Sequence, residues 1–121
     1  MQYKLKEHPT YTGYFLSTDG RLFSNKKTPE PKELKPFVEK NGYRSHYIYY
    51  KGKPVFQRIH QLVADTFLPK PEGFESEYNV IHHKNLDKTD SSVSNLQRCK
   101  NRSEHTRLHH QLKKQNKEEV L

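Results

Sequence analysis

Val80-Ile81-His82-His83-Lys84-Asn85, then Ser94-Asn95-Leu96, then Ser103-Glu104-His105-Thr106-Arg107-Leu108-His109 form the stretch that decides how this chain is read. Its pattern predicts strand, loop, strand, helix. Residues 79–83 are extended and enter a polar loop from Asn85 to Ser94, and Leu96 to Cys99 return as a second strand. A helix follows from about Arg102 to Lys117, with Asn101 and Glu104 spaced as a capping box and Leu108 and Leu112 on one face. On that helix His105 and His109 are four apart, so both imidazoles project from the same side and can hold one ion. An isolated pair of this kind is more often a solvated polar face, and the upstream His82-His83 is what changes the reading. Neighbours on a strand face opposite ways, so if His82 turns toward the ion, His83 turns away. One can bind while the other works.

Composition narrows what such a constellation can serve. A chain of 121 residues fits one domain, or a compact domain with a small lobe, and leaves no room for a large enzyme scaffold. Only 31% of residues are hydrophobic and there is no Trp, so the core is thin and a metal or partner would help it. The net charge is +8 and is unevenly placed: residues 21–58 carry ten Lys/Arg against three acids, residues 97–117 seven against one, and residues 59–96 three against six. Two basic segments flanking a mildly acidic one point to a polyanion, because clustered cations release counterions from phosphates; a solvated surface is the plainer alternative. No stretch has the length or purity of a transmembrane helix, and the region after Met1 has no apolar signal core. A soluble, cytoplasmic protein is expected. The single cysteine, Cys99, reads as a small core residue.

Working outward toward the start of the chain, Tyr14-Phe15-Leu16 and Arg21-Leu22-Phe23 flank an Asp19-Gly20 pair, which predicts a hairpin. Residues 26–36, rich in Lys and Pro, read as a basic surface loop. The run Tyr43, Tyr47, Ile48, Tyr49, Tyr50 leads through Lys51-Gly52-Lys53-Pro54 to Val55-Phe56, a second hairpin whose tyrosines suit a half-buried sheet. Ile59, Leu62, Val63 and Phe67 recur at helical spacing until Pro69 and Pro71. The expected fold is α+β: a basic β-rich lobe with its linking helix over residues 1–69, then the strand–loop–strand–helix module over residues 70–121.

The segment from Val80 to His109, through Lys88-Thr89 and Asn95, resembles the HNH or ββα-metal endonucleases, specifically their phage and homing-endonuclease branch. Residues 14–24 are similar to the small modular domain that often precedes such nucleases, and Ile59 to Pro69 to the helix that joins the two parts. The resemblance implies a metal-dependent endonuclease that hydrolyses DNA and leaves a 5′-phosphate and a 3′-hydroxyl. It makes His83 the general base, His82, His105 and His109 the candidate metal ligands, and Asn95 the residue that braces the loop and orients the base. Asn85 and Asp90 stand where the family often has Asp and Asn.

The chemistry is coherent in its own right. A phosphodiester resists water because the nucleophile is weak and the transition state crowded with negative charge, so a base and a cation address separate obstacles. One divalent ion is expected. Three imidazoles suit Zn²⁺, Ni²⁺, Mn²⁺ or Co²⁺, whereas Mg²⁺ prefers oxygen ligands and would use part of the set. Asp87 and Asp90 in the polar loop are turn residues before they are ligands. Double-stranded DNA is the expected partner, contacted by Arg44, Lys51, Lys53 and Arg58 of the lobe and by Arg98, Arg102 and Arg107 near the histidines. A monomer would nick one strand, and a homodimer would cut two. Two other readings compete: a non-catalytic DNA-binding protein with a closed structural zinc site, against which an extra unliganded His83 argues, and an RNA-directed protein whose tyrosines stack on bases.

Overall fold

In the computed structural model, residues 4–74, 76–108 and 110 are described. His109, Leu112 and the expected helical continuation to Lys117 lie outside them. The architecture is α+β: three antiparallel sheets arranged around one central helix.

The first sheet has the order β1-β2-β3-β4, with β1 Leu5–Glu7, β2 Tyr14–Ser17, β3 Leu22–Ser24 and β4 Lys32–Leu34. The hairpin expected at Asp19-Gly20 forms, with Leu16 opposite Leu22 and both buried. Gly20 has φ +86°, and a Cβ there would lie 2.6 Å from the Ser91 carbonyl carbon, so only glycine fits between the turn and the later polar loop. The Val93 N–H donates to the Thr18 carbonyl at 2.9 Å, tying turn to loop. Residues 26–36 are not loop throughout. β4 pairs with β3, because Leu34 packs against the core and Glu33 reaches Arg21 at 2.9 Å. β1 also escapes the hydrophobic pattern, since all three of its residues are exposed and it is held through its backbone register with β2.

The second sheet has the order β5-β6-β7, with β5 Phe37–Val38, β6 Arg44–Tyr50 and β7 Lys53–Arg58. Lys51 and Gly52 turn the second hairpin, both with positive φ (52° and 77°), the two-residue turn whose twist matches the strands. The Tyr49 N–H donates to the Tyr14 hydroxyl at 2.9 Å and links the two hairpins. Tyr47 and Tyr49 face outward rather than being half buried.

Helix α1, Ile59–Phe67, follows directly on β7 and buries Ile59, Leu62, Val63 and Ala64. Pro69 stops it as expected. A single cluster joins these residues to Tyr14, Leu16, Leu22 and Ile48 on one side and to Ile81 and Leu96 on the other, so the core crosses position 69. Burying each such aliphatic side chain contributes roughly 1.5–3 kcal/mol. The third sheet pairs β8, Val80–His83, with β9, Leu96–Cys99, and a 3₁₀ turn at Val93–Asn95 leads into β9. Cys99 is buried here, and burial pushes its thiol up to about 11. Residues 102–108 form a second helix, α2, whose Glu104 N–H donates to the Asn101 side-chain oxygen at 3.0 Å.

Candidate functional site

Strand β8 places two adjacent histidines on opposite faces of the third sheet, and both are buried. His82 turns toward α2, where its ring meets the ring of His105 edge to face, centroids 5.2 Å apart. His83 turns toward α1 and the second sheet. Its ring lies 4.9 Å from that of His60, at 73°, and 6.0 Å from that of Tyr43.

Around Tyr43 the side chains are densely interlocked. The Arg58 guanidinium lies 4.3 Å from the ring centre and the Lys88 ammonium 4.9 Å. Arg58 also grips Glu39 through two hydrogen bonds, at 3.0 and 3.3 Å, and Lys88 donates to the Asn41 carbonyl at 3.2 Å. The face behind His83 is therefore built by β6, β7, α1 and the polar loop together.

Asn95 is buried at the base of that loop. Its side-chain oxygen accepts the Asn85 N–H at 3.0 Å, while its amide donates to the Asn85 side chain and to the Asp90 carbonyl, both at 2.9 Å. The Lys84 N–H meets the Asn95 carbonyl at 2.8 Å, and the Leu86 N–H closes a turn on the His83 carbonyl at 2.9 Å. The two residues that follow His83 are thus fixed by Asn95. Asn85 and Asp90 meet each other through the Asn85 amide and the Asp90 carboxylate at 3.0 Å, so an Asp/Asn exchange at these positions keeps one donor and one acceptor. Asp87 caps Thr89 and Asp90 caps Ser92. Those hydrogen bonds hold both carboxyls below the ordinary range: Thr89 is the main cause for Asp87, and the Ser92 hydroxyl is the main cause for Asp90.

Burial is the main reason the His83 imidazole titrates below its ordinary value, with His82 adding to the effect and Asp90 and Asp87 opposing it. His60 is pushed down to about 3, again chiefly by burial and next by His83. Both rings are neutral bases at pH 7.

Among the described residues, no three His, Cys, Asp or Glu side chains converge as a metal-holding group. His82 and His105 bring two imidazoles together, while His109 lies outside the described residues. His110 is exposed. The basic residues divide by use. Arg44, Lys51 and Lys53 are exposed on the second hairpin, and Arg102 and Arg107 are exposed on α2. Arg58 is committed to Glu39 and Tyr43. Arg98 is turned into the protein instead: its half-buried side chain is bonded to the Leu68 and Tyr78 carbonyls and lies 3.7 Å from Asp65, so it clamps β9 to α1 and the connector. His8, which carries no sequence signal, is likewise structural. Its Nδ1 accepts the N–H groups of Thr10 and Tyr11, which leaves Nε2 to donate to Asp65 at 3.1 Å. His60 and Tyr43 are the site residues that motif spacing missed. His60 carries a signal in hindsight, since it shares the helical phase of the buried Val63 and Ala64.

No family model matches the chain. It is 30% identical over 86 residues to an uncharacterized HNH endonuclease of Acanthamoeba polyphaga mimivirus, an alignment covering 71% of this chain and 24% of that protein. Its fold is similar to that of the HNH homing endonuclease I-HmuI, solved in a study of DNA binding and cleavage by that enzyme. The TM-score is 0.70 at 26% identity, covering 94% of this chain and 59% of the other. The chain thus spans about a quarter of the first relative and about three-fifths of the second. No helix among the described residues is long and apolar enough to cross a membrane.

Proposed function

We propose, from its similarity to HNH endonucleases in sequence and fold, that this chain is an HNH endonuclease that hydrolyses phosphodiester bonds of double-stranded DNA with the help of one divalent metal ion. The observation that carries the proposal is the opposite facing of two histidines on β8: one buried histidine meets a second imidazole on α2, and its neighbour faces away toward α1.

His83 is the general base in this reading. It is neutral at pH 7, so a lone pair is available to take a proton from the attacking water. Of its two ring nitrogens, Nε2 is sealed from solvent. That leaves Nδ1 as the atom that receives the proton. Asn95 acts through the backbone, holding Lys84 and Asn85 so that the His83 ring keeps its place.

The donor set fits a metal ion of intermediate softness. His82 and His105 would hold it, with His109 as the third imidazole four residues along the same segment. Bound there, a divalent ion supplies positive charge against the phosphoryl and leaving oxygens. Arg102 and Arg107, exposed on α2, draw the phosphate backbone toward this face, and Arg44, Lys51 and Lys53 extend the basic track along the second hairpin. Products with a 5′-phosphate and a 3′-hydroxyl follow from the family. With one such site, a single copy nicks and two copies, or two events, make a double-strand break.

Supercoiled plasmid incubated with the protein, first in EDTA and then with Mg²⁺, Mn²⁺, Ni²⁺ or Zn²⁺ restored, tests the proposal. Nicked or linear product that appears only with metal is the expected result. Retarded but uncut DNA under every ion would replace it with a binding protein that uses its histidines structurally.

A further inference from the structure

The ring cluster around His83 contains a second histidine that neither the family motif nor the proposed chemistry uses. His60 is buried on α1, and its Nδ1 is sealed from solvent with no hydrogen-bond partner; the same is true of His83 Nε2. Leaving a polar atom unpaired in the interior is destabilising, and a residue such as Leu would fill this helical position without that cost. Two such atoms on two rings in contact invite a common explanation.

The geometry supplies one. The ring centres are 4.9 Å apart and the planes 73° from each other. Two imidazoles joined by a direct N–H···N bond of about 2.9 Å have their ring centres roughly 5 Å apart, so a small rotation of either ring brings these nitrogens into line. Hydrogen bonds of catalytic groups commonly tighten only when substrate engages. Tyr43, 5.1 Å from His60 and 6.0 Å from His83, covers both rings and limits where they can turn.

We propose that His60 is a positioning residue for His83, accepting a hydrogen bond at Nδ1 from His83 Nε2–H and so fixing the tautomer in which His83 Nδ1 carries the free lone pair. The inference rests on the reading of His83 as the base, but the bond itself does not. Burial keeps His60 unprotonated through the neutral range, so its Nδ1 remains an acceptor. The alternative tautomer of His83 would put the proton on Nδ1, where it blocks the atom proposed to take the proton from water.

The test uses the full chain. Long-range ¹H–¹⁵N spectra of the wild type at pH 7.5 report which nitrogen of each histidine holds the proton, and His83 is expected as the Nε2–H form. Single-turnover cleavage of supercoiled plasmid with Mn²⁺ is then compared for wild type, His60→Phe and His60→Gln. His60→Phe keeps a ring but no acceptor, and is expected to slow cleavage about tenfold with half-saturating protein concentration unchanged within about twofold. It also converts His83 to a mixture of tautomers. His60→Gln restores an acceptor and returns cleavage to within about threefold of wild type. A wild-type His83 protonated at Nδ1 overturns the proposal whether or not either variant folds, as does wild-type cleavage by His60→Phe. Cleavage retained by His83→Ala would instead remove His83 as the base, while the spectra still decide whether the His60–His83 bond exists.

Discussion

The two faces of β8 are furnished from different distances along the chain. On one face His82 meets His105, and both belong to the continuous segment from Val80 to α2. On the other face His83 meets His60 of α1 and Tyr43 beside β6, with Arg58 and Lys88 gripping the tyrosine. The first face is assembled by local structure, a strand and a helix held in register by one hairpin. The second exists only once both hairpins and α1 have packed into a common core. The His82–His105 pair can therefore be built locally, whereas the buried surroundings of His83 depend on the whole fold.

The difference predicts which changes break which face. The largest effect is expected for His83→Ala, which removes the proposed base and none of the proposed ligands: cleavage should fall by about a thousandfold, while DNA retardation and metal affinity persist. Measurable nicking near the wild-type rate would mean that the second face has no catalytic share. Asn95→Ala should come next. It leaves the Asn85 N–H and the Asp90 carbonyl unpaired in a partly buried loop, at about 2–4 kcal/mol, and should lower Tm on the order of 10 °C. A Tm within about 2 °C of wild type would show the loop to be held by other bonds.

Acid should attack the second face selectively. His60 sits near 3 in the folded protein against an ordinary 6.5, so below pH 6.5 the unfolded chain binds a proton that the native one refuses. Stability contributed by the neutral ring is complete above 6.5 and declines as pH falls toward 3, at up to about 1.4 kcal/mol per pH unit. His60→Phe should flatten the pH dependence of urea unfolding in that window by about one proton; an unchanged slope would place the acid sensitivity elsewhere. The smallest effects belong to exposed cations. Arg102→Ala on α2 and Lys51→Ala on the second hairpin should each reduce the salt slope of DNA binding by about 0.9, if each meets one phosphate. Arg98→Ala should leave that slope alone and lower Tm, because its guanidinium is spent on protein carbonyls.

Legibility in the sequence followed the same division. The strand–loop–strand–helix order, both hairpin turns and the end of α1 were readable because Asp19-Gly20, Lys51-Gly52 and Pro69 act through local backbone preference. β1 and β4 were not, since an exposed edge strand held by its backbone leaves little hydrophobic alternation to detect. Arg98 read as a surface cation because nothing local reveals that Leu68 and Tyr78 will present carbonyls to it. His60 stood in the sequence as one more helical polar residue. Its partner lies 23 positions away, and only the packing of α1 against the third sheet brings the two rings together.

The most direct test of the account is calorimetric titration of Zn²⁺ and of Mn²⁺ into wild type, His82→Ala and His83→Ala. Two adjacent, equally buried histidines with different tasks predict that His82→Ala weakens metal binding by at least about tenfold while His83→Ala stays within about twofold of wild type. Equal losses in both variants, or no loss in His82→Ala, would contradict the assignment of one face of β8 to the metal and the other to the base.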